Sequence, residues 1–499
     1  MDIKKAKILE IGSKIGMNIL PMAFAYPEAK FIGIEYSEDN LNLAKSAAKE
    51  LSLTNVEFKK TEEINLKEYK GKFDYIISHE IFSEIESKDQ EFLLKFVASS
   101  LKDTGVSYLY FDVWPGCFDK KLLNDMLRYH TSMLKKDEDK ILQCRNLFNF
   151  FENSLANSSH PYQVYLENLQ ENTNTLSDKE FFASFLEREL KNPCYFFEFI
   201  NKISKVDLHY LAESFLPAAS LSNLPKNIAK ELTTLEDKNQ IQQYIDFITS
   251  RKSRSAILCK KTVDTNLGIN SSAFKDFYFT SALVAETKFE DIDIKDQKQT
   301  ITFYNFYEPS IKFNIKSPRM KAIMYSLIAN PSKQFSLEEL VMEAAKKLKT
   351  KKPELIKEKF LANVENMVFC GYVNAVSDKF STQIIDLKTL QKPKILPIAK
   401  YQVEILEQNL VTTNTHDMIQ LDHIEQNIIK LMDGINDKAK IISEVIDKIN
   451  NGEFKLRAEE EFSDSNINKE KVALQNLDYI VAEHLDYTIN KFYTLGLLI

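Results

Sequence analysis

Over its first 116 residues the chain changes hydrophobic period repeatedly, and that alternation restricts it to one class of fold. Lys7–Ile11 (KILEI) reads as a buried strand, and a helical pattern follows from Asn18 to Ala25. Lys30–Glu35 (KFIGIE) is a second strand, and Glu38–Leu51 a helix carrying Leu41, Leu43, Ala44, Ala47 and Ala48. Asn55–Lys59 and Phe73–Ser78 (FDYIIS) supply a third and a fourth strand, Gln90–Leu101 a helix and Gly105–Phe111 a fifth strand. Strands that alternate with helices form a parallel sheet covered on both faces. Such sheets bind ligands beyond the carboxyl ends of their strands, where the winding reverses.

Glycine placement points to the same end of the sheet. Six of the eleven glycines (Gly12, Gly16, Gly33, Gly71, Gly105, Gly116) fall in this stretch. Gly12 ends the first strand and Gly16 lies near the first helix, where small residues let backbone N–H groups approach a ligand. The alternative is that the two glycines merely close a βα turn. A dinucleotide site needs G-x-G-x-x-G, and Gly12-Ser-Lys-Ile-Gly16 has neither the internal glycine nor that spacing, which disfavours a nicotinamide oxidoreductase. Glu35 ends the second strand, where an acid grips a ribose. The pattern E-x-G-x-x-x-G from Glu10 to Gly16, followed after the second strand by acid, aromatic and Ser, fits S-adenosylmethionine better. That cofactor needs close backbone but no phosphate cradle.

Other classes recede on composition. A net charge of -7 gives no global attraction for nucleic acid or an anionic membrane. The basic run Lys346–Lys359 interleaves acids and lacks an aromatic platform, so it reads as a solvated linker and helix face. Five scattered cysteines without CxxC suit reduced core thiols. MDIKKAK lacks an apolar signal core and no long apolar run follows, which together imply a cytoplasmic protein without membrane insertion. The seven histidines show no metal-ligand spacing.

The stretches ILEIGSKIGMNILPMA, AKFIGIEYSE, GKFDYIISHEIF and FDVWPG resemble the class I methyltransferase domain of bacterial protein-lysine methyltransferases that modify outer-membrane proteins. NPCYFFEF, LHYLAES, SNLPKNIAKEL and QYIDFITSRKSRSAILCK resemble the regulatory region of the same proteins, and LMDGINDKAKIISEV their tail. The resemblance implies S-adenosylmethionine as cofactor and a polypeptide lysine as acceptor. By it, Glu10, Gly12, Ser13, Gly16 and Asn18 contact the methionine part of the cofactor; the Lys14 side chain, which the family lacks there, either crowds the cofactor carboxylate or pairs its ammonium with it. Glu35 holds the ribose hydroxyls, Tyr36 lies along the adenine, and Thr61, Glu62 and Glu63 border the adenine edge. Ser78, His79 and Glu80 line the wall near the methyl group, and Asp112, Trp114 and Pro115 shape the amine pocket across from it. Asp112 or His79 would accept the amine proton or hold the target nitrogen.

The chain departs from the family in places. Lys14 and Glu80 stand where the family has glycine, Glu84 where it has an aromatic, and Asp112 where it has Asn. The family also carries a segment ahead of the first strand that covers the cofactor, whereas this sequence starts a few residues before that strand. A leaner catalytic site and a decayed methyltransferase fold serving as a binding or scaffold protein are the two readings that follow.

The expected fold is α/β, a Rossmann-like class I methyltransferase sheet with a helical insertion, followed by winged-helix-like and mainly helical C-terminal domains. Residues 1–117 form the first part of the core. Residues 118–190 are a helical insertion, with LLNDMLRYHTSML, KILQCRNLFNFFENSL, YQVYLENLQ and DKEFFASFLEREL at helical period, serving as a homodimer surface or a substrate wall. Residues 191–262 complete the sheet through LHYLAESF and SRSAILCKK, with Cys194–Ile203 helical before them. Residues 263–392 form a winged-helix-like middle domain with strand-like FYNFYEPSIKFNI, helices at Pro318–Ala329, Ser336–Lys347 and Glu354–Phe369, and a capping box from Ser336 to Glu339. LQKPKILPIAK (Leu390–Lys400) is a proline-bearing linker. It leads into 393–499, with helices at Gln420–Leu431, Asp437–Asn450 and Lys469–Thr494 and an acidic loop EEEFSDSN.

Overall fold

The computed structural model describes residues 2–155, 178–264, 271–305, 312–330, 333–377, 389–414, 416–453 and 477–499, with positions 176, 385 and 387. The YQVYLENLQ helix and the acidic loop lie outside these residues. Seven strands make the principal sheet: β1 (Lys7–Ile11), β2 (Lys30–Glu35), β3 (Val56–Lys60), β4 (Phe73–His79), β5 (Leu101–Asp112), β6 (His209–Glu213) and β7 (Ser253–Cys259). Their order is β3-β2-β1-β4-β5-β7-β6. The four connections from β1 to β5 carry α1 (Ile19–Ala25), α2 (Glu38–Glu50), α3 (Leu66–Tyr69), and α4 (Ile81–Glu84) with α5 (Ser87–Ser100). Two compact bodies divide the chain, Ala6–Gly12 with Thr61–Thr265 and Ser13–Lys60 with Asn266–Ile499.

In the first body β1, β4 and β5 run parallel, and β7 then pairs antiparallel with both β5 and β6. Completion of the sheet after a helical insertion is as expected. Leu9, Ile76, Leu109 and Phe111 are fully buried, and covering each such side chain contributes about 1.5–3 kcal/mol. The insertion contains α6 (Phe118–Thr131), α7 (Asp137–Leu155) and α8 (Asp178–Phe185). It closes its own small core from Leu123, Leu127, Ile141, Cys144, Phe148, Phe181 and Leu186. The chain returns through α9 (Phe196–Ser204), α10 (Lys226–Leu232) and α11 (Lys238–Thr249).

Arg254 on β7 is buried between acids, donating to Asp246 at 2.8 Å and Glu213 at 2.6 Å while lying 3.8 Å from the Phe196 ring centre. Burial pushes the Asp246 carboxyl up, and the Arg254 charge partly offsets it. The five cysteines are free and buried, and burial raises the Cys117 and Cys194 thiols to about 12, so they are unreactive core residues.

In the second body β2 and β3 are parallel. Ser37 caps α2 by accepting from the Asn40 N–H at 3.4 Å. Leu41, Ala44, Ala47 and Ala48 form the buried face of α2, whereas Leu43 is exposed.

The middle region builds one core around α12 (Pro318–Ile328), α13 (Leu337–Leu348) and α14 (Glu354–Phe369). It includes two three-stranded sheets. One contains β8 (Tyr278–Thr280), β12 (Phe335–Ser336) and β13 (Asn374–Val376); the other contains β9 (Leu283–Ala285), β10 (Ile301–Asn305) and β11 (Lys312–Ile315). The capping box forms as expected, with Ser336 Oγ accepting from the Glu339 N–H and the Glu339 carboxylate accepting from the Ser336 N–H.

The last region differs from expectation at its start. Pro397 does not extend a linker but opens α15 (Pro397–Glu404), since proline fits a first helical turn. A hairpin, β14 (Leu410–Thr412) and β15 (Met418–Gln420), precedes α16 (His423–Leu431), so Gln420 ends a strand instead of starting a helix. Gln402, fully buried, locks α15 to the hairpin by bonding the backbone and side chain of Thr412. α17 (Lys438–Asn450) and α18 (Leu477–Thr494) complete the region. Among the described residues, no helix is long and apolar enough to cross a membrane.

Candidate active site

In the second body, the turn after β1 is built from left-handed backbone. Gly16 has φ +83°, and a Cβ there would meet Phe58 Cζ at 2.9 Å. Lys14 also takes a positive φ, +49°, a conformation that favours glycine. Its Nζ is buried. The Ser13 N–H donates to the Ile34 carbonyl at 3.0 Å, which ties the turn to β2.

Glu35, at the end of β2, is 1% exposed. Its carboxylate accepts from the Lys14 N–H at 2.8 Å on Oε2 and from the Ser37 N–H at 2.9 Å on Oε1. A carboxylate offers about four acceptor positions, so each oxygen keeps one for a ligand hydroxyl. Tyr36 beside it is exposed. Asn18, before α1, meets His416 at the tip of the β14–β15 hairpin, with Oδ1 and Nε2 2.6 Å apart.

The first body holds the other half of the expected residues. Glu10 is buried near the end of β1. Gly12 has φ +76°, and a Cβ there would lie 2.3 Å from Ile81 Cγ1, so no other residue fits. Thr61, Glu62 and Glu63 form an exposed 3-10 turn after β3. His79 ends β4 with its ring stacked on Tyr110 at 4.6 Å while its edge stays exposed. Burial of the ring face, then the nearby Lys120 charge, lower its pKa and favour the neutral imidazole.

Asp112, at the end of β5, is buried, and its backbone N–H donates to Ser83 Oγ at 2.8 Å. Both of its carboxylate oxygens accept from Lys120 Nζ, at 2.9 and 3.1 Å. Trp114 is pinned by its indole N–H, which donates to the Pro193 carbonyl at 3.0 Å.

Glu80 follows His79 at the end of β4. It sits in left-handed backbone at φ 68°, where a glycine is easier, and its carboxylate pairs with Arg188. Arg188 also reaches Glu84 at 3.5 Å. The two acids therefore share one arginine from the returning insertion. Lys191 and Asn192 continue that connection by donating backbone N–H bonds to the Ser83 carbonyl. Arg188 and Lys120 were not legible as site residues, because neither belongs to a motif.

Two buried hydroxyls, Ser13 Oγ and Ser78 Oγ, make no hydrogen bond within the protein. Buried polar groups are rarely left unpaired.

The comparisons give this arrangement its context. A model described as "Methyltransferase domain" matches residues 3–159, a "Predicted methyltransferase regulatory domain" matches 163–260, and "PKMT, C-terminal winged helix domain" matches 391–496. An uncharacterized protein of Rickettsia prowazekii (strain Madrid E) is 30% identical over 458 residues, 92% of this chain and 82% of its own length. The chain belongs to the protein lysine methyltransferase family. The structure of PKMT2 from Rickettsia typhi in complex with AdoHcy is similar over 100% of this chain and 95% of that one, with 28% identity and a TM-score of 0.83. A second PKMT2 structure from Rickettsia typhi gives 27% identity and 0.78 over the same shares. This chain is therefore an S-adenosylmethionine-dependent protein methyltransferase. The winged-helix description falls on the region of the β14–β15 hairpin, not on the middle region where three helices first suggested it.

Proposed function

We propose that the protein transfers methyl groups to the ε-amine of lysine in a polypeptide, with the cofactor seated on the β1 and β2 turns. The observation that carries this reading is Glu35: its carboxylate is buried, fixed by two backbone N–H groups, and retains acceptor capacity suited to a cis-diol. Ser13, buried without a hydrogen-bond partner in the same turn, fits the same ligand. Gly12, Gly16 and Asn18 supply the close backbone, and Lys14 and Glu10 lie nearest the methionyl end by their place in the turn. Tyr36, with Thr61, Glu62 and Glu63, would border the adenine.

Bound S-adenosylmethionine supplies a methyl group on a positively charged sulfur. The protein's own task is to align a neutral amine with it, since in-line displacement depends chiefly on positioning. Asp112 holds the incoming ammonium by charge. His79, kept neutral, accepts its proton. Trp114, fixed to Pro193, walls the amine pocket.

Two coarser features extend the reading. Tyr129 (86% exposed) and Met133 (91%) leave apolar surface on the insertion, which suits a homodimer. A cytoplasmic location suits five reduced thiols. Calorimetry with S-adenosylmethionine, AdoHcy and NAD tests the core claim. Binding of the first two but not NAD is expected, and silence from all three would refute it. Light scattering of the purified chain tests the dimer: a single-chain mass would remove it.

A further inference from the structure

The carboxylate assigned to the acceptor amine already holds a lysine of its own chain. Lys120 stands in the first turn of α6, eight residues beyond Asp112, and its Nζ donates to both carboxylate oxygens at 2.9 and 3.1 Å. Asp112 is the fixed partner and Lys120 the mobile one, because their side chains are 5% and 52% exposed. The Lys120 charge is also felt at His79. The end of β5 therefore holds a lysine Nζ on a carboxylate that binds ammonium, and His79 ends the neighbouring β4.

We propose that Lys120 is a self-methylation site, modified in cis. The proposal rests on the lysine-methyltransferase reading above. A pair with one half-exposed member is weak, so the four-carbon Lys120 stem can carry Nζ off Asp112. The ammonium, half exposed, gives one proton to solvent. The nitrogen lone pair forms the new N–C bond as the C–S bond breaks, and that bonding pair returns to sulfur. Each round consumes one S-adenosylmethionine and yields one AdoHcy, one methyl group on Nζ and one proton. The positive charge on Lys120 is kept throughout, while each methyl removes one N–H donor from the three available to Asp112. Full modification therefore loosens Lys120 from Asp112 and frees that carboxylate for an external lysine.

The test incubates the full chain with S-adenosylmethionine and reads intact mass and the Lys120 peptide. AdoHcy calorimetry and methyl transfer to poly-L-lysine run in parallel. Methyl-sized increments at Lys120 are expected, with a first-order rate independent of protein concentration. They should be absent in Lys120→Arg, which keeps the ion pair. Methylated poly-L-lysine with unmodified Lys120 overturns the proposal and leaves the enzymatic reading standing. AdoHcy binding with neither acceptor modified also overturns the proposal, since the cis lysine needs no docking. A rate rising with protein concentration overturns the cis mechanism. Absence of AdoHcy binding removes the parent reading and the proposal together.

Discussion

Replacing Glu35 by Gln isolates the contribution of one carboxylate oxygen. The wild-type side chain accepts one backbone N–H on each oxygen, from Lys14 and from Ser37, at 2.8 and 2.9 Å. An amide keeps one acceptor oxygen and turns the other position into an NH2 facing a donor. Hydrogen bonds to charged groups contribute about 1.5–3 kcal/mol each. Glu35→Gln therefore loses one backbone bond and one bond to a cofactor hydroxyl. Fold stability should fall by about 1.5–3 kcal/mol, because the buried N–H loses its partner. Affinity for AdoHcy should fall by a further factor of about 10 to 150, since 1.4 kcal/mol is tenfold. Urea unfolding without ligand measures the first effect, and calorimetry well below the unfolding midpoint measures the second. Wild-type AdoHcy affinity in a folded Glu35→Gln protein would refute the ribose assignment. A loss of stability with no loss of affinity would show that Glu35 only braces the turn.

Further expectations follow from other contacts. Arg254→Ala leaves Asp246 and Glu213 buried without their main counter-ion, and thermal unfolding should register a loss of about 3–5 kcal/mol. Arg254→Lys should recover only part of it, since an ammonium cannot reproduce the forked geometry. His79 has a depressed pKa, so unfolded chain binds its proton more readily than folded chain below the ordinary value of about 6.5. Stability from this group is present above that pH and is lost as pH falls through the lower folded value. The acid limb of methyl transfer should lie below about 6.5 and disappear in His79→Gln. His416→Ala should weaken AdoHcy binding with little change in turnover, and a cycle with Asn18→Ala should show a coupling of about 0.5–1.5 kcal/mol. Strict additivity of the two substitutions would remove the hairpin's role at the cofactor turn.

Much of the sheet could be read in advance because its signals are local. KILEI and KFIGIE are short apolar runs bounded by turn residues, and both strands have the expected limits. The β14–β15 hairpin was missed because its strands are three residues each and enclose polar Thr and Asn. Pro397 fits a helix start as well as a linker, and only packing decides between them. At the site, the glycine turn and Glu35 were visible as a motif. The Arg188 clasp on Glu80 and Glu84 was not, since it joins positions about a hundred residues apart with no shared pattern. Lys120 was equally hidden, its partner Asp112 having been noticed only for its place at a strand end.

The position of β7 has a consequence for the nascent chain. β5 emerges from the ribosome long before Ser253–Cys259, its neighbour on that side. Until then its backbone edge lies open along seven residue pairings, from Val106 to Asp112, with Leu109 and Phe111 near it. An unpaired apolar edge is a template for self-association. Truncations that stop between the insertion and β7 should therefore precipitate, and the interval before β7 is made is the period in which a growing chain most needs a chaperone.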